Sequence, residues 1–334
     1  MDTITVPGAD AAVLVTDGDS EGLLAGVARR AAGPVAGVFG PESATWRINR
    51  ESALFLGSAR AALLQVAHPW VAAALADHSK VLDRPIERFH NTFRVVFTLV
   101  FGRLDQALNA ARHLHGLHTR IGGRMREDVA GYRTGSRYEA NEQAALKWVY
   151  ATLIETAVLA YECAMGPLDG VERERYYAET KTLAALFGIA AEALPGTWED
   201  FVAYNRAMHE SDALGVSDGG RTIGRNLMEG AGSWIRLPRW YKALTAMWMP
   251  ARFREEFGLA YGPEEQRAAD RALRMLPGVY RRLPGAVRFT GPWHEAQARL
   301  NGRRMGAVTA WSNRFWMGEA RMPFGGVFTL PEGG

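Results

Sequence analysis

Apolar residues recur at the three-to-four-residue spacing of a helix face through most of this chain, while alternation with period two is almost missing. That imbalance restricts the fold to packed helices. The spacing predicts helices over 22–32, 85–101, 104–121, 141–165, 168–187, 197–211, 222–229, 240–257 and 263–276. Another helical run begins at Ser43 or Thr45 and meets Pro69, which kinks or restarts it. Asp169-Gly-Val-Glu172 and Thr197-Trp-Glu-Asp200 each put a capping side chain ahead of first-turn carboxylates. Gly102, Gly122-Gly123, Gly166-Pro167 and Gly258 mark ends. Only 286–290 and 326–330 alternate enough to suggest short strands. With 48% hydrophobic residues in 334, the chain can bury a sizeable core, so the expected class is mainly α, a single all-helical domain with few or no strands.

Composition narrows the chemistry. A single cysteine, Cys163, excludes an intramolecular disulfide framework and any zinc site built from cysteine pairs, leaving histidines and carboxylates as metal ligands. The 39 basic residues face 36 acidic ones, interleaved, for a formal charge of +3, and no basic tract is interleaved with aromatics; nucleic acid is not an expected partner. The acidic amino-terminal segment has neither a charged n-region nor an apolar h-region, so the expected location is cytoplasmic. The most apolar stretch, 53–76, contains Arg60, Gln65, His68 and Pro69, which suits a buried helix pair better than stable membrane insertion.

Six of the eight histidines fall between residues 68 and 118: His68, His78, His90, His113, His115 and His118. Histidine is the common protein ligand for iron and zinc and the usual proton carrier near neutral pH, although any one of them alone is more often a hydrogen-bonded core or surface residue. His-Glu-x-x-His is absent, and of the paired Glu-x-x-His units of a di-iron site only Glu87-Arg-Phe-His90 is present. Gly215-Val-Ser-Asp-Gly219 has the letters of a nucleophile elbow but follows no strand-like run. No dinucleotide fingerprint or phosphate loop is present. Haem needs an axial histidine, an apolar slot and cations for its propionates. Phe89, Phe93, Val96, Phe97 and Val100, with arginines such as Arg112 and Arg120, supply these generically, so residue types alone leave haem as one candidate among several.

Several segments, taken in order from Trp46 to Pro284, resemble the family of bacterial latex-clearing proteins (rubber oxygenases) and fungal mycophenolic-acid-pathway oxygenases. They include Leu56-Gly-Ser-Ala-Arg-Ala-Ala-Leu-Leu-Gln-Val-Ala-His68-Pro69, Ala76-Asp-His78-Ser79, Arg88-Phe-His-Asn-Thr92, Val100-Phe-Gly102, His118-Thr-Arg-Ile-Gly-Gly123 and Trp148-Val-Tyr-Ala-Thr152. The resemblance implies a mostly helical fold enclosing haem b. It also implies His118 as the axial ligand, with His113 and His115 as fallbacks, and Arg88 and Thr92 on one helix face over the distal side. There Arg88 would orient a propionate or polarise dioxygen, and Thr92 would donate a hydrogen bond. The competing readings are a helix-end cap for His118, a solvated arginine for Arg88, and back-bonding to the helix for Thr92. In the latex-clearing branch the residue before that threonine is a lysine proposed as a catalytic base. Here it is Asn91, which cannot titrate, so rubber cleavage by that route is not expected and His90 becomes a candidate proton carrier. His68 matches the family as well, either near the haem edge or as a core histidine. Thr152 is a candidate pocket residue, and Tyr150 stands where many relatives carry histidine.

The resulting expectation is a haem b-dependent enzyme that uses dioxygen or a peroxide on a small to medium, largely apolar or aromatic substrate. Residues 1–41 would form an arm, 42–290 the haem-binding domain, and 291–334 a tail wrapping back on it. The alternative is a helical haem-sensing or small-molecule-binding protein without catalysis.

Overall fold

Capping side chains set many of the helix starts. The N–H groups of Asp19, Trp46, Glu172 and Asp200 donate to the side chains of Thr16, Ser43, Asp169 and Thr197. A computed structural model describes residues 12–79, 84–231 and 236–323. Within them the chain forms α1 (Asp17–Arg30), α2 (Ala44–Asn49), a 3-10 turn (Ser52–Gly57), α3 (Ser58–Val66), α4 (Pro69–His78), α5 (Pro85–Phe101), α6 (Leu104–His118), β1 (Gly122–Arg124), β2 (Arg137–Glu139) and α7 (Gln143–Met165). The remainder is α8 (Gly170–Leu186), α9 (Trp198–Glu210), α10 (Asp218–Glu229), α11 (Arg239–Trp248), α12 (Ala251–Glu256), α13 (Pro263–Tyr280), α14 (Gly285–Arg288), α15 (Gly291–Leu300) and α16 (Ala307–Met317).

Helix α7 is the axis of the core. It buries residues on every side, among them Leu146, Trp148, Tyr150, Ile154, Val158 and Tyr161, as a helix apolar all round must. It packs against α3, α8, α13 and the 3-10 turn. Gly57 lets that turn approach: a Cβ there would overlap Thr156 Cγ2 of α7. Three residues on, Arg60 reaches the same place, donating to Thr156 Oγ1 at 2.6 Å and Glu155 Oε2 at 2.7 Å. The Gly57-to-Arg60 segment is therefore a docking piece. Helix α1 packs on α6 and α8, and α15 and α16 pack on α5.

Three expectations change. The run from Ser43 is not one helix but α2, the 3-10 turn and α3, because Tyr280 Oη takes the Ala53 N–H at 3.0 Å and Gly57 is drawn onto α7. The helix expected over 240–257 is two, since Pro250 forces Met249 to extended backbone (ψ 141°). The strand expected over 286–290 is instead the helical turn α14, held by Arg288 N–H to Pro284 O, with only Phe289 bridging to Glu51. Five alternating residues are too few to separate a strand from one helical turn. The other candidate strand, 326–330, lies outside the described residues. The described sheet is the antiparallel pair β1–β2, registered Gly122 to Glu139. Gly123 is needed there, because a Cβ would meet the Tyr138 ring.

Candidate active site

Helices α5 and α6 are joined by the tight Gly102-Arg103 turn and pack antiparallel. Arg88 and His118 lie at matching distances on either side of that turn, so the hairpin brings them to the same, open end. Packing is graded along it. At the turn end Phe97 to Phe101 and Ala107, Ala110 and Ala111 are buried; toward the open end Phe89, Phe93, Val95, Leu114 and Leu117 are only half-buried.

The electrostatics of this end are unusual. Arg88 remains open to water, yet the surrounding protein desolvates it enough to push its pKa below the ordinary value. The half-buried His118 imidazole is lowered to about 4, by desolvation first and then by the charge of Arg88, with a smaller effect of His115. At neutral pH it is therefore an uncharged ring with a free lone pair. Among the described residues neither the His118 ring nor the Arg88 guanidinium has a protein hydrogen bond or ion pair. An exposed guanidinium with no protein partner is free to take an anionic ligand group.

The other candidates are committed elsewhere. His115 Nε2 lies 2.8 Å from Asp17 Oδ1, and Arg112 makes a two-pronged pair with Glu21 at 2.7 and 3.0 Å; both bind α1 to α6. His113 is also partnered, and its pKa is lowered by burial and then by the Arg120 charge. Arg120 itself is exposed just beyond α6. His90 is on the opposite side of α5 from Arg88, 3.1 Å from Phe315 O of α16. Thr92 donates its one hydroxyl hydrogen to Arg88 O at 2.9 Å, which is the back-bonding alternative. Thr152 is fully buried, donating to Val149 O and accepting from Gln65, and Tyr150 Oη is 2.9 Å from Thr180 Oγ1. Ser217 of the elbow-like motif caps α10, its Oγ accepting from Gly220 N–H at 2.9 Å. Trp240, Met247, Trp248 and Met249, together with Trp234, fit a pocket lid or core by type; Trp234 lies outside the described residues, Met249 is buried, and Trp240 is exposed.

His68 is the N-cap of α4, and Pro69 occupies the first helical position. Its Nδ1 accepts from Trp70 N–H at 3.3 Å, which leaves Nε2–H to donate to Tyr132 Oη at 3.4 Å. Both nitrogens are used in the core. Burial lowers the His68 pKa from 6.5 to about 4. The unfolded chain therefore takes up the proton first, and the stability present at neutral pH is lost as pH falls from about 6.5 toward 4. Thermal midpoints measured across that window should fall for the wild type and fall less steeply for His68→Asn, which keeps a cap without a titrating ring while His118 still titrates. Equal slopes for both would show that His68 is not the group responsible.

Sequence spacing missed Leu114 and Leu117 as half-buried apolar residues of this open end, although the first lies one turn before His118. It also missed the β1–β2 pair that fixes the chain after His118, where Ala140 N–H donates to Ile121 O at 2.9 Å. Three residues, two of them glycine, carry no strand signal. No group of three or more His, Cys, Asp or Glu is assembled as a metal cage among the described residues.

The model of a family described as "ER-bound oxygenase mpaB/B'/Rubber oxygenase, catalytic domain" matches residues 45–289, well over half of the chain. No curated protein and no solved structure matches it.

Proposed function

Because the chain belongs to the mpaB/rubber oxygenase catalytic-domain family, we propose that it is a haem b-dependent oxygenase acting on a small to medium, largely apolar or aromatic substrate. The observation that carries the reading is the pairing of an unpartnered, uncharged His118 ring with an unpartnered, desolvated Arg88 at the open end of the α5–α6 hairpin. A haem held by one protein ligand fits these residues. His118 would hold the iron through a ring nitrogen, Arg88 would meet a propionate or polarise dioxygen, and Phe89, Phe93, Val95, Leu114 and Leu117 would give apolar walls. Haem b, when bound, supplies the one-electron and dioxygen chemistry that side chains lack.

The chain's own groups restrict proton transfer and substrate choice in the recess that this reading places beside Arg88 and His118. Thr92, with its hydrogen committed to a carbonyl, offers an acceptor to the recess unless it turns. Asn91 cannot exchange a proton, His90 is turned toward α16, and Glu87, the carboxylate before Arg88, is paired with Arg84 at 3.3 Å. Tyr150, Thr152 and His68 keep their polar atoms engaged in the core, with Thr180, Val149 and Tyr132 among their partners. The half-covered apolar walls favour a substrate that leaves water for the recess without a charge of its own.

Hemin titration followed by oxygen consumption with apolar and aromatic candidates tests the proposal. Arg88→Ala should keep hemin and lose on the order of 100-fold in turnover, the scale of one charge-stabilising donor. Hemin bound without oxygen turnover would favour the haem-sensing alternative, and a wild-type protein that takes up no hemin overturns the haem reading.

A further inference from the structure

Helix α16 has two apolar faces, and only one is covered. Asn313 and Met317 are buried and Trp316 stacks on Phe55 at 3.6 Å, so this side packs on α5 and the 3-10 turn. The opposite side presents Val308, Trp311 and Phe315, which are 67%, 68% and 42% exposed. Spaced at i, i+3 and i+7, they form one stripe, and the Trp311 and Phe315 rings stack on each other at 6.2 Å while both stay open to solvent.

The stripe is framed by cations. Arg303 and Arg304 precede the helix, Arg314 lies beside Phe315, and Arg321 follows the Gly318 cap; all four are exposed and none forms a salt bridge among the described residues. The acid in this stretch is Glu319, which already faces Arg94 at 3.9 Å. Two bare aromatic rings stacked at the centre of a charged surface mark a contact surface. Exposed Trp and Phe ringed by arginine is the pattern of a helix lying in the interface of an anionic bilayer.

We propose that α16 docks flat on an anionic phospholipid surface, its Val308–Trp311–Phe315 stripe entering the headgroup boundary and its four arginines meeting lipid phosphates. No helix among the described residues is long and apolar enough to cross a membrane, so the contact is peripheral and salt-sensitive. The dock has a route to the interior: Phe315 O meets His90, Arg94 donates to Met317 O at 3.0 Å, and Trp316 lies on Phe55, so α16 roofs helix α5. The docking does not rest on the oxygenase reading.

Cosedimentation of the full chain with phosphatidylcholine vesicles, with and without phosphatidylglycerol, tests it. Binding should require the anionic lipid, weaken as salt rises, and be accompanied by a blue shift of tryptophan emission. Each arginine should be worth about fivefold in partitioning, so Arg303→Gln/Arg304→Gln loses about 25-fold. Trp311→Ala/Phe315→Ala should lose at least about 10-fold, with the thermal midpoint unchanged because both rings are outside the core. Absence of binding to anionic vesicles at low salt, or partitioning unaltered in both variants, overturns the proposal. So does a dimer in sedimentation equilibrium that Trp311→Ala dissociates, which would identify a second copy as the occupant.

Discussion

His118→Ala, purified and titrated with hemin, is expected to give no Soret band characteristic of histidine ligation, whereas His115→Ala and His113→Ala retain it. The contrast is large because an axial bond is present or absent rather than graded. Its basis is the work each ring already does. His115 is spent on Asp17 and His113 is partnered, while the His118 ring has no protein partner and is kept neutral by burial and by Arg88. A neutral imidazole is the form that binds iron, so the low pKa and the ligand role agree. Removing the His115 ring should loosen α1 from α6, a loss visible as a lower melting temperature rather than as a lost spectrum. A band that persists in His118→Ala and collapses in His113→Ala would move the axial ligand one turn back along α6.

The second large effect concerns the ends of the family-matched region. Glu51 is 1% exposed, and Arg288 grips both its oxygens at 2.7 and 2.8 Å; Tyr280 donates to the same carboxylate at 3.1 Å. Beside it Thr290 N–H donates to Arg50 O at 2.8 Å and Phe289 bridges to Glu51. The chain thus closes on itself where the match, residues 45–289, begins and ends. Arg288→Met should cost about 2–3 kcal/mol, because it removes two charge-assisted hydrogen bonds from a buried carboxylate and leaves Arg50, whose Nε is 3.6 Å away, as the remaining counter-charge. Chemical denaturation would show this as a fall in midpoint. The double variant Glu51→Gln/Arg288→Met should recover much of the loss, since the penalty belongs to the under-paired charge and not to the missing attraction. A single-variant loss below about 1 kcal/mol would mean that water reaches Glu51 and that the closure is not a structural staple.

Helix caps and ends could be read directly from the chain because they are local. Ser43, Asp169 and Thr197 each satisfy N–H groups within three residues of themselves, so no distant partner is needed to place them. Breaks imposed from outside could not be read in this way. The run from Ser43 is divided by Tyr280, more than two hundred residues away, and by the approach of Gly57 to α7. The candidate site divides along the same line. The i, i+4 relation of Arg88 and Thr92 is a property of one helix, but the direction of His90 depends on where α16 lies, and the engagement of Arg112 and His115 depends on α1.

By itself, then, the sequence determined the helical class, most of the helix boundaries, and the family through ordered short motifs whose residues act within a few positions of one another. Only the tertiary structure decided which of six clustered histidines is left without a partner, which arginine beside it is unpaired as well, and which helix turns an aromatic stripe to solvent. The physical reason is that partnership and solvation are sums over neighbours in space. A histidine's pattern in the chain says what it can bind, whereas its availability depends on Asp17, Tyr132 and Phe315, which only folding brings to the rings they occupy.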